Sequence, residues 1–89
     1  MVKEKFVKDL IHNLAQIQND KNMEKFLDVL LTDSEFEDLV TRLQIFKRLL
    51  DGQVQREIAE ELEVSTTTVT RGANELRNKK DKVKRMIQL

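Results

Sequence analysis

The sequence predicts an all-α protein of about six short helices, and three observations carry that prediction. Proline is absent and glycine occurs only at positions 52 and 72, so few residues break a helix. Apolar residues recur at steps of three and four along most of the chain, the period of an amphipathic helix. Residues 55–71, QREIAEELEVSTTTVTR, carry the spacing of two helices joined by a tight turn. Eighty-nine residues suit a single domain, 1–89. Within it, 1–52 are expected to form dimerisation helices, 55–77 a helix-turn-helix and 79–89 a C-terminal helix.

Phe6, Leu10, Ile11, Leu14 and Ile17 place a first helix at about 2–18. The polar run Asn19-Asp20-Lys21-Asn22 breaks it. A short second helix then carries Met23, Phe26, Leu27, Leu30 and Leu31 on one face. Thr32-Asp33-Ser34-Glu35 fits a capping box, with Thr32 capping the next helix and Glu35 reaching back. Phe36, Leu39, Val40, Leu43, Phe46, Leu49 and Leu50 continue that helix to a stop at Gly52. Ile58, Ala59 and Leu62 mark a fourth helix, and Val64 falls in the turn. Ser65 is a suitable N-cap for a fifth helix whose inward positions are Val69, Ala73 and Leu76. A last helix at about 80–88 turns Val83, Met86 and Ile87 inward. The apolar stripes of the first three helices are wider than so short a monomer covers, which predicts a homodimer sharing a core, with a monomeric bundle as the alternative.

The chain has no cysteine, which excludes disulfides and thiolate metal sites, and no apolar run approaches the roughly 18 residues of a membrane span. With no signal-peptide pattern either, a cytoplasmic location is expected and no membrane partner. The net charge is zero but unevenly spread. Residues 1–54 hold 8 Lys/Arg against 10 Asp/Glu, and 55–64 set Arg56 against four glutamates. Residues 65–89 hold 7 Lys/Arg against two acids, a basic third able to meet a polyanion. His12 is the only histidine and there is no phosphate-binding glycine loop. No catalytic constellation exists, so an enzyme is not expected.

The stretch Glu63–Leu76, EVSTTTVTRGANEL, is made of weak helix formers, four threonines and a glycine among them. A helix-turn-helix explains them. It needs a small residue where the helices cross (Ala59), apolar locks (Ile58, Leu62, Val64, Val69) and polar side chains at the start of the second helix. Thr66, Thr67 and Thr68 offer short hydroxyls to base edges without holding the backbone away from the groove. Glu63 stands where such turns usually have glycine, because the backbone there takes positive φ.

LLTDSEFEDLVTRLQIFKRLLDG followed by QREIAEELEVSTTTVTRGANELR resembles the tryptophan repressor family over about 29–77. The resemblance rests on Leu31-Thr32, Thr41-Arg42, Leu49-Leu50 and Thr70-Arg71-Gly72 with Asn74 and Leu76. That family is itself an established example of helix-turn-helix docking and of water-mediated base contacts. The resemblance implies an intertwined homodimer, a double-stranded DNA operator as partner, and L-tryptophan or a similar small amino acid as corepressor, with no prosthetic group. It implies that Arg42 and Arg71 flank an indole ring, that Arg71 meets the ligand carboxylate and that Gly72 leaves room beside the ring. Thr32 and the carbonyls of Val29 and Leu31 would face the ligand's polar end, where helix-terminal carbonyls suit an ammonium. On the DNA side, Arg56 would reach a base edge, Thr66, Thr67 and Thr68 would line the groove, and Gln55, Thr41, Thr70 and Arg77 would touch phosphates.

The chain departs from the family pattern in three places. The Gly52–Gln55 connection is one residue shorter and lacks a Ser or Thr cap. Glu63 replaces the turn glycine. Glu75 stands where a small residue is usual, able either to bind the ligand's ammonium or to pair with Arg71 or Arg42 and close the site. Two rivals follow from these departures: a ligand-independent DNA-binding regulator, and a helical protein-interaction module that no longer binds DNA.

Overall fold

A computed structural model describes residues 2–87. Six helices follow in order: α1 Glu4–Ala15, α2 Asp20–Leu30, α3 Asp33–Leu50, α4 Gln55–Leu62, α5 Thr66–Arg77 and α6 Lys80–Met86. There is no strand among the described residues. The chain forms two compact units, Met1–Phe36 and Glu37–Leu89.

The first unit is built of helices with strong local start signals. Asn19 caps α2 by accepting from the Asn22 N–H at 2.8 Å. At the start of α3 the Thr32 N–H donates to Glu35 Oε1 at 2.8 Å, and the Glu35 N–H donates to Thr32 Oγ1 at 3.1 Å. That is the reciprocal capping box expected from the sequence, and it satisfies two backbone donors at once. α1 is shorter than the expected 2–18, because the Gln16 and Ile17 N–H groups close three-residue turns onto Asn13 and Leu14. Neither α1 nor α2 buries a single residue. Phe6, Val7, Leu10 and Ile11 leave an apolar stripe in solvent along α1.

The second unit holds the core. Ile45 of α3, Ile58 and Ala59 of α4 and Val69 of α5 are buried together, with Phe46, Leu49, Leu62 and Val64 packed around them. Gly52, at φ +86°, ends α3: its N–H donates to Leu49 O and the Gln53 N–H returns to Arg48 O, both at 3.0 Å. α4 starts at Gln55 after an extended Val54 with no side-chain cap. The short connection nonetheless delivers Ile58 and Ala59 inward, and Glu61 anchors it. Glu61 accepts Arg48 Nη1 at 2.6 Å and Gln53 Nε2 at 2.8 Å.

α4 ends at Glu63, whose φ of 56° and ψ of 44° put it in the left-handed region, as the sequence expectation required. The Val64 N–H donates to Ala59 O at 3.0 Å, the six-to-one bond that accompanies such a terminus. Ser65 then caps α5, accepting the Thr68 N–H at 3.1 Å. Of the inward positions expected on α5, Val69 and Leu76 are buried, whereas Ala73 is only half-buried and Gly72 beside it is fully in the core. On α6, Val83 and Ile87 are half-buried but Met86 is 74% exposed, so the expected inward Met86 is corrected. Around the helix its position falls about 60° from Val83, on the side away from the next turn's Ile87. Residues 88 and 89 of the expected C-terminal helix lie outside the described residues.

Two outcomes follow. Replacing Glu63 with glycine removes the left-handed penalty on an L residue, and thermal unfolding should show a gain of about 0.5–1 kcal/mol after the extra chain entropy of glycine is allowed for. The Thr32 hydrogen bonds hold the Glu35 carboxyl below its ordinary value of 4.5. The stability so contributed is complete above pH 4.5 and is lost as pH falls through the lowered value. Glu35→Gln should therefore melt below the parent protein at neutral pH, and the two melting temperatures should converge as pH drops below 4.5.

Candidate ligand cleft and nucleic-acid interface

The inner side of α5 and one face of α3 enclose a cleft of about 410 Å³, within the usual range for small-molecule sites. From α3 it is lined by Glu37, Asp38, Thr41, Arg42 and Ile45, which recur at helical spacing on one side of the helix. Thr68, Arg71, Gly72 and Glu75 line it from α5, at steps of three and four, and Val64 from the turn. All of these residues lie in the second compact unit. The helix pair therefore brings together Arg42, Arg71, Gly72 and Glu75, four of the residues expected at a ligand.

Gly72 is there for packing. A Cβ built on it would lie 2.7 Å from Ile45 Cγ2, so the branched side chain of Ile45 occupies the space glycine leaves. Its φ is not in the left-handed region, and close approach is the reason for the residue. A core side chain occupies the side where a Cβ would stand, and Gly72 also lines the open cleft. Glu75 pairs with neither arginine. Its Oε2 lies 3.7 Å from Lys79 Nζ, one turn on along the chain, with both side chains more than half exposed. The arginine pair that would close the cleft is absent among the described residues.

Thr41 and Thr68, expected on the DNA side, line the cleft. The Thr68 hydroxyl lies 2.8 Å from Ser65 Oγ, either oxygen able to donate. Thr66, Thr67 and Thr70 remain exposed on α5. Thr70 Oγ1 donates to Gln55 Oε1 at 2.9 Å, which ties the two expected phosphate contacts together across the helix pair. Arg56 is exposed at the start of α4, and Arg77 donates to Asn74 Oδ1 at 2.8 Å at the end of α5.

The remaining expected ligand residues sit in the first unit. The hydroxyl and N–H of Thr32 are engaged by Glu35. Val29 lies in the last turn of α2, where carbonyls run out of helical partners, and Leu31 is its C-cap. Their side chains are respectively 82% exposed and half-buried.

Sequence reasoning missed Glu37, Asp38, Ile45 and Val64 as lining residues. For α3 a signal existed: Glu37, Thr41 and Ile45 follow one another at four-residue steps, and Asp38 precedes Arg42 by the same step. Among the described residues no group of three or more His, Cys, Asp or Glu could hold a metal ion, and no helix is long and apolar enough to cross a membrane.

Known proteins complete the picture. The family described as Trp repressor protein matches residues 5–89. A Trp operon repressor homolog of Xylella fastidiosa is 39% identical over 79 residues, covering 88% of this chain and 86% of the relative. Homologs of the same description from Vibrio vulnificus and Photobacterium profundum are 42% and 43% identical. These cover 85% and 88% of this chain, and 72% and 74% of the respective relatives. No solved structure matches the chain. With the helix-turn-helix, the TRGxN run and the α3–α5 cleft in place, a family match over nearly the whole length has one meaning: the chain belongs to the Trp repressor family.

Proposed function

We propose that this protein is a dimeric, sequence-specific DNA-binding repressor whose grip on its operator is set by tryptophan or a closely similar amino acid. The observation that carries the proposal is the double role of α5. One side of this helix exposes Thr66, Thr67 and Thr70, and the other lines the cleft with Thr68, Arg71, Gly72 and Glu75. A ligand in the cleft would touch the helix that reads DNA, so its binding free energy can bias how that helix is held.

Relatives bearing the name Trp operon repressor homolog support a repressor acting at an operator. The cleft supplies the chemistry for an α-amino acid: two guanidiniums for a carboxylate, carboxylates for an ammonium and apolar Ile45 and Val64 for a ring. The second helix of the pair would enter the major groove, with Arg56 reading a base edge and Gln55, Thr70 and Arg77 at phosphates. A second copy of the chain would cover Phe6, Val7, Leu10 and Ile11, too much contiguous apolar surface to leave in water. A two-fold dimer would then present two reading heads. This is regulation by binding, in a family of repressors rather than of enzymes, and the cytoplasm is its proposed place of work.

Gel-shift titrations on genomic fragments, with and without L-tryptophan, test the reading. A specific site bound more tightly with tryptophan is expected, and no specific site under either condition overturns it. Within that assay Arg56→Ala should cost about 1–3 kcal/mol on the preferred site and relax base preference. Arg77→Ala should weaken all sequences alike and lower the salt dependence by about one counterion for the phosphate it no longer neutralises.

A further inference from the structure

We infer that Glu75 makes a protonated amine the obligatory feature of the effector, so that the cleft ranks aromatic amines, with or without a carboxylate, above aromatic acids lacking the amine. The inference rests on the α3–α5 cleft being the effector site and names the determinant of its selectivity.

The charge of the lining carries the argument. Two cations, Arg42 and Arg71, face three carboxylates, Glu37, Asp38 and Glu75, so the lining by itself carries one net negative charge. A ligand with a carboxylate and no amine would raise that to two, and a zwitterion would leave it at one. A ligand with an amine and no carboxylate would bring it to zero. Like charges gathered around one cleft oppose binding, and opposite ones favour it.

Glu75 is the carboxylate that α5 brings to the cleft, and its one ion pair among the described residues is a weak one. Glu37 and Asp38 are neighbours on α3, whereas Glu75 comes from α5, one turn beyond Gly72 where the two helices touch. Its partner, Lys79, is not among the lining residues and holds it at 3.7 Å through an exposed contact of a kind that contributes little. No arginine competes for it among the described residues. An ammonium in the cleft offers three donors to an acceptor that has only a weak partner to give up.

The chain contains no tryptophan and no tyrosine, so the fluorescence of an indole ligand reports binding without background. The probes are L-tryptophan, tryptamine and indole-3-propionate, titrated against the parent protein, Glu75→Gln and Lys79→Ala. In the parent, tryptamine and tryptophan should bind at least about tenfold more tightly than indole-3-propionate. Glu75→Gln should erase that preference, weakening the two amines and not the acid, and Lys79→Ala should strengthen the amines by freeing the carboxylate. Both side chains are exposed, so the fold should survive either change. Equal binding of all three probes, or a preference that persists in Glu75→Gln, overturns the inference and leaves the effector reading standing. Binding of none of them to the parent protein overturns both.

Discussion

The contact of Ile45 with the backbone of α5 at Gly72 is the constraint on which the second unit turns. Ile45 is 2% exposed and fills the volume where any larger residue would put its Cβ. Glycine inside a helix costs about 1 kcal/mol against alanine, and burying an isoleucine side chain contributes about 1.5–3 kcal/mol. Packing therefore outweighs propensity at this position. The same contact sets how closely α3 and α5 approach, and so the width of the cleft beside it. Ile58, Ala59 and Val69 complete the cluster, which fixes α4 and α5 against the same residue.

A helix of poor helix formers needs its ends held by other means. α5 starts on Ser65, which satisfies the Thr68 N–H, and is pinned by Val69, Gly72 and Leu76 along one side. Its threonines are tolerated because the core side of the helix is made by other residues. The turn before it is held by the six-to-one bond from Val64 to Ala59 and by Glu63 in a conformation glycine would adopt without strain. Arg48, Gln53 and Glu61 then tie the start of α4 back to the end of α3. Of the four glutamates on that stretch, Glu61 at least has a structural task, and the acidic face is correspondingly smaller than the sequence implied.

Glu75 illustrates how charge and geometry share a role. From its position in the chain alone, it could have neutralised either arginine and closed the cleft. Its weak pairing with Lys79 leaves two cations and three anions around one concavity. Selectivity then becomes a matter of which ligand charge the lining lacks, a property of the set rather than of any one residue.

Helix order, the capping box at Thr32 and Glu35, the stop at Gly52, the strained Glu63 and the Ser65 cap were all legible along the chain. Each depends on residues within about a turn of one another, whose hydrogen bonds are dictated by local backbone geometry. The apolar faces of α4 and α5 were legible for the same reason, through their period. Folding was needed to show that Gly72 receives Ile45, and that Thr68 of α5 and Thr41 of α3 line one cleft. Those relations join α3 to α5 across more than twenty residues of chain. Side-chain packing between elements distant in sequence decides them, and no local pattern encodes it.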